Sequence, residues 1–143
     1  MHTLKQILNQ KEANDIWSVA PTATVFEAIQ VMAEKRAGAL LVMEEGKLQG
    51  IISERDYARE VILKGRGSKK TLVGEIMSDD VIAASSSDSV QSALETMTAH
   101  RIRHLPIVDD ALVVGVVSIG DLVKDVISVQ QTTIEQLENY IRT

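Results

Sequence analysis

The sequence predicts an α/β protein made of two copies of one β-α-β-β-α unit, packed with pseudo-two-fold symmetry into one module, with a helical segment at each end. Three observations carry this expectation. Shifted by 65 positions, the chain falls on itself without a gap: Val25 on Val90, Met32 on Met97, Gly50 on Gly115, Ser53 on Ser118 and Asp56 on Asp121. Within each copy the apolar spacing switches from a helical period to short continuous runs. Of the 143 residues 45% are hydrophobic but only 3% aromatic, which suits an aliphatic core.

Each element follows from its own pattern. Apolar residues around Ile16–Val19 and Val81–Ala84 read as leading strands. Thr24, with Glu27 three residues on, makes a capping box, and Val25, Ala28, Ile29 and Met32 form a helical stripe behind it. Ser89 opens the matching helix, with Val90, Ala93, Leu94 and Met97 on its face. "GALLVM" (Gly38–Met43) and "HLPIV" (His104–Val108) read as buried strands. "EEGKLQG" and "DDALVVG" turn the chain back into "GIIS" and "GVVS", and a second helix follows in each copy, "ERDYAREVILK" and "IGDLVKDVISVQQ". One copy alone would expose an apolar sheet face, so the copies are expected to cover each other. The boundaries are repeat one over 10–66, a linker and short turn over 67–80, repeat two over 81–130, and an amphipathic C-terminal helix over 131–143. In that last segment Thr132 with Glu135, or Thr133 with Gln136, can form the cap, and Ile134, Leu137 and Ile141 the stripe. "LKQILNQK" near the N-terminus shows a smaller stripe.

Composition removes several function classes. A net charge of −5 repels phosphate backbones, and four aromatic residues offer few base-stacking platforms, so nucleic acid is not an expected partner. The absence of cysteine excludes disulfides, thiolate catalysis and thiolate metal sites. The histidines His2, His100 and His104 complete no HExxH motif, and no Walker-type lysine loop occurs, so no catalytic site and no catalytic cofactor are expected. The polar N-terminus does not read as a signal peptide, and nowhere do 18 apolar residues run together, so the expected protein is cytoplasmic with no membrane partner.

Two stretches carry chemistry. Ser53-x-x-Asp56 and Ser118-x-x-Asp121 suit a capping box, in which Ser and Asp satisfy the first N–H groups of a helix. The same geometry suits a ribose carboxylate beside a phosphate-binding helix start. "HRIRHLPIV" (His100–Val108) suits a cationic helix end, and equally a phosphate clamp in which Arg supplies a bidentate fork. Arg101 matches Arg36 in the repeat and reads as structural in both copies. Arg55, where copy two has Gly120, points either to a phosphate or to solvent. The basic run "KGRGSKK" (Lys64–Lys70) reads as a solvated linker, with contact to a polyphosphate tail as the alternative.

These motifs, in this order and spacing, resemble a tandem CBS-domain protein, named after cystathionine β-synthase, of the small stand-alone kind. The resemblance rests on "GIISERDYAREVI", "LKGRGSKKTLVGEIM", "RIRHLPIVDD", "GVVSIGDLVKDVIS" and "TIEQLENYI" and covers roughly Ile16 to Ile141. It implies a regulatory module that binds adenosine-containing ligands such as AMP, ADP, ATP, NAD or S-adenosylmethionine in the cleft between the copies, forms a homodimer and relays ligand state to an effector protein. It implies that Asp56 and Asp121 hold ribose, Ser53 and Ser118 ribose or phosphate, and Arg103 and His104, before Pro106, phosphate. Copy one departs from the pattern, with Gly38 and Ala39 in place of Arg103 and His104 and Leu41 in place of the proline. The resemblance further implies sites built across the copies: Asp56 with Ile82, Ala83, Arg103 and His104, better equipped for phosphate, and Asp121 with Trp17, Val19, Gly38 and Ala39, more like an adenosine pocket. The rival readings are a ligand-independent interaction or dimerisation module and, more weakly, a nucleotide-processing enzyme.

Overall fold

A computed structural model of the chain describes residues 2–11 and 16–142. In chain order its elements are α1 (Leu4–Gln10), β1 (Ser18–Val19), α2 (Val25–Lys35), β2 (Ala39–Glu44), β3 (Lys47–Ser53), α3 (Glu54–Tyr57) running into a π-helical turn (Ala58–Ile62), α4 (Val73–Ile76), α5 (Val90–His100), β4 (His104–Asp109), β5 (Leu112–Ser118) and α6 (Ile119–Arg142). The α/β arrangement is the expected one: copy one runs β-α-β-β-α, and copy two repeats α-β-β-α behind a single β-bridge. The chain divides into two compact units. One holds residues 16–82 with 110–113, mainly copy one, and the other holds the N-terminal segment with 83–109 and 114–142, mainly copy two.

In the copy-one unit β1 runs parallel to β2, Ser18 opposite Leu41, and β2 antiparallel to β3, Ala39 opposite Ser53 and Val42 opposite Gly50. Thr24 and Glu27 form the capping box expected of them at the start of α2. Val25, Ala28 and Met32 of that helix bury against Leu40, Val42, Ile52 and Val61. In the copy-two unit Val90, Ala93 and Met97 of α5 are buried, as are Leu105, Ile107, Val117 and Leu122. Arg36 and Arg101 end α2 and α5 in the left-handed conformation, φ 54° and 55°, and their N–H groups donate to Met32 and Met97, which is the structural role expected of this pair.

Three features differ from expectation. The leading strand of copy two shrinks to a single parallel bridge, Ala84 to Ile107. The N–H groups of Ser85 and Ser86 that follow are taken by the Asp88 and Asp109 carboxylates, which compete with a ladder. The C-terminal helix does not start afresh at Thr132 or Thr133. Instead α6 is continuous for 24 residues, and the two hydroxyls donate back to Ser128 O and Val129 O. No proline interrupts that stretch, so nothing stops the helix. The third difference concerns α1 and α4, which each close a copy from outside it. Leu4 N donates to Asp88 O as Val73 N donates to Ala23 O, and Val90 N donates to His2 O as Val25 N donates to Thr71 O. Thus α1 lies on copy two in the same way that α4 lies on copy one.

Candidate ribose-carboxylate turns and the segments beside them

Both Ser-x-x-Asp segments stand where a strand ends and a helix begins. In copy one Ser53 N–H and Oγ donate to Asp56 Oδ2 at 2.9 and 3.0 Å, and Asp56 N–H donates to Ser53 Oγ at 3.1 Å. In copy two Ser118 N–H donates to Asp121 Oδ2 at 2.8 Å and Asp121 N–H to Ser118 Oγ at 3.1 Å. The capping reading is therefore realised in both copies. It also fixes each carboxylate, which stays half-buried at the rim of its unit with acceptor capacity toward solvent.

The surroundings of the two turns differ. In copy one Ala39 is the register partner of Ser53, and Glu54 N–H donates to Gly38 O at 3.0 Å. Gly38 is exposed, its φ is not in the left-handed region, and a Cβ there would meet no atom within 4 Å, so neither backbone nor packing requires glycine. In copy two Ile119 N–H donates to Arg103 O at 2.9 Å, which sets the Arg103 backbone beside the Ser118 turn. Arg103 and His104 are exposed, whereas Pro106 is buried and its carbonyl accepts from Ala84 N–H. Trp17 is 41% exposed before β1, Val19 is half-buried within it, Ile82 is half-buried, and Ala83 and Arg55 are exposed. Ser53, Asp56, Gly38 and Ala39 are thus brought together in one unit, and Ser118, Asp121 and the Arg103 backbone in the other.

Three participants were not anticipated. Lys11 Nζ lies 3.0 Å from Asp121 Oδ2 and donates to Val116 O at 3.0 Å. His2 Nδ1 lies 2.5 Å from Asp125 Oδ1, and Asp125 is almost fully buried. Burial pushes the Asp121 carboxyl up, but the Ser118 N–H and the Lys11 ammonium outweigh it and hold the group below the usual carboxylate range. The signal in the sequence was slight: two acids four apart on one helix face, and a histidine and a lysine flanking the N-terminal stripe. These groups line a cavity of about 520 Å³ with Ile7, Gln10, Lys124 and Ser128. No cluster of three or more potential metal ligands occurs among the described residues, and no helix among them is long and apolar enough to cross a membrane.

Comparison with known proteins places this arrangement. The CBS domain family matches residues 6–63 and 73–128. A mitochondrial CBS domain-containing protein of Arabidopsis thaliana, CBSX3, is 39% identical over 138 residues, 92% of this chain and 67% of that protein. A solved CBS-domain protein from Burkholderia ambifaria is 46% identical with a TM-score of 0.78, covering 89% of this chain and 95% of that one. The CBS domain pair of protein MJ0100, solved in complex with 5'-methylthioadenosine and S-adenosyl-L-methionine, is 27% identical with a TM-score of 0.70, covering 86% and 98%. Two CBS domains in tandem account for most of its length, and the chain belongs to the CBS-domain family.

Proposed function

We propose that the chain is a sensor that binds an adenosine-containing ligand, with AMP, ATP and NAD as candidates, and passes the ligand state to an effector protein without transforming the ligand. The observation that carries this reading is the duplicated Ser-x-x-Asp turn, which holds one carboxylate in each copy half-exposed and fixed at a helix start. A carboxylate so fixed suits the vicinal hydroxyls of ribose. The exposed Arg103 supplies a cation and His104 a ring N–H donor for a phosphate, and Gly38 leaves the room a planar base requires. The adenosine ligands of the MJ0100 domain pair support the same ligand class.

Thermal melting with AMP, ADP, ATP, NAD and S-adenosylmethionine tests the proposal. A ligand at a hundred times its dissociation constant stabilises the fold by about 2.7 kcal/mol. The proposal expects one ligand to raise the melting temperature of the wild type and not of the Asp56→Ala/Asp121→Ala double variant. No shift with any ligand contradicts it. Arg103→Ala is expected to weaken AMP and ATP and to leave adenosine nearly unaffected.

A second reading, homodimerisation, is favoured by α6, whose distal half leaves Ile134, Leu137 and Ile141 48%, 58% and 80% exposed along one stripe. Light scattering of Leu137→Glu tests it, with a monomeric mass expected from the variant and a dimeric one from the wild type.

A further inference from the structure

The N-terminal segment is fastened to the first turns of α6 by a hydrogen bond between His2 and Asp125 and an ion pair between Lys11 and Asp121. The ion pair falls on the carboxylate that would hold ribose in copy two. Asp121 Oδ2 offers two lone-pair directions. Ser118 N–H takes one and the Lys11 ammonium the other. Asp56 Oδ2 is also doubly bonded, but its second donor is the hydroxyl of Ser53, which a small rotation redirects to a ligand. Displacing Lys11 means breaking an ion pair and a hydrogen bond to Val116 O together. We infer that Lys11 is a latch on the Asp121 site, competing with ligand hydroxyls for the carboxylate, so that a ligand engaging both carboxylate oxygens must first displace the lysine of the N-terminal segment. This rests on the ligand class proposed above and adds its regulation: in copy one, among the described residues, only the cap itself bonds the carboxylate, whereas in copy two a lysine from outside the repeat competes for Asp121 Oδ2.

The full-length protein tests this with AMP as the probe, titrated calorimetrically. Asp56→Ala isolates the copy-two site, and Asp56→Asn serves beside it as the variant that keeps the cap. In either background Lys11→Met is expected to tighten AMP binding about tenfold, and Lys11→Arg to leave it within about twofold. A merely structural lysine would give the opposite sign, because its loss would loosen the site. If Asp121→Ala binds AMP while Lys11→Met fails to tighten the Asp56 variants, the latch is wrong and the ligand class stands. If no variant, Lys11→Met included, binds AMP or ATP, latch and ligand class fall together.

Discussion

Copy one and copy two share a fold but are closed by different pieces of chain. Over Gly50 of copy one lies the segment after α4: a Cβ there would stand 2.6 Å from Ser78 O and 2.9 Å from Met77 Sδ. Over Gly115 of copy two lies α1: a Cβ there would stand 2.6 and 3.0 Å from the two methyl ends of Leu8. The repeated glycine is therefore a point of close approach in both copies, against pinned backbone in one and a side-chain tip in the other. The closing segment also decides what reaches the neighbouring carboxylate. Thr3 and Leu72 make equivalent bridges to Ser89 and Thr24. The match ends early: α4 stops at Ile76 and Ser78 bridges Ile51, whereas α1 runs on to Gln10. A cation therefore meets Asp121, whereas in copy one the segment after α4 lies as extended chain over Gly50. Duplicated folding machinery has thus acquired unequal chemistry through segments outside the repeat.

The largest expected effect that sharpens this contrast is at the glycines. Ser78 and Ile51 exchange two backbone hydrogen bonds of 2.9 Å, so the carbonyl over Gly50 cannot retreat without breaking them. Gly50→Ala is expected to cost about 3 kcal/mol, and Gly115→Ala, where Leu8 can change rotamer, about 1 kcal/mol, measured by urea unfolding. Equal losses would mean that the two coverings are mechanically alike.

The hairpin turns come next. Glu45–Gly46 has φ of 53° and 79°, and Asp110–Ala111 has 51° and 67°, so both are two-residue turns with two left-handed residues. Copy one places glycine second and copy two places alanine, which pays a Cβ penalty there. Ala111→Gly is expected to stabilise by under about 1 kcal/mol once the freer unfolded chain is counted. Gly46→Ala, whose Cβ would also stand 3.3 Å from Leu112 Cδ2, is expected to destabilise by about 1 kcal/mol. Melting temperatures of the two variants should move in opposite directions.

The smallest effect is electrostatic. Against the burial that raises it, the Ser118 N–H and Lys11 hold Asp121 below the ordinary carboxylate range, so its contribution is complete above the unfolded carboxylate pKa of about 3.9 and is lost as pH falls through the lower folded value. With the side chain partly exposed, that contribution is under about 1 kcal/mol. The stability gap between wild type and Asp121→Asn should be open at pH 7 and should close below pH ~4. A gap that persists at acid pH would show that charge is not its source.

The repeat was legible because each copy is written with the same period. Met32 and Met97 bury alike, and both Ser-x-x-Asp turns cap as their spacing predicts. What escaped the sequence lies outside that period. Thr3 and Leu72 stand 69 positions apart, whereas the repeat runs at 65, so a gapless shift never lays α1 on α4. For the same reason Lys11, four residues beyond Ile7, gave no sign of its tertiary partner Asp121 more than a hundred positions away. The length of α6 was misjudged because Thr132 and Thr133 have the chemistry of a cap. Mid-helix, the same hydroxyls bond the preceding turn instead.

The central claim, that alike turns in the two copies serve as unequal sites, is tested most directly by calorimetric titration of the wild type, Asp56→Ala and Asp121→Ala with AMP. The account expects a tighter class of site that disappears in Asp56→Ala and a weaker one that disappears in Asp121→Ala. Two sites of equal affinity, or loss of the tighter one in Asp121→Ala, would contradict it.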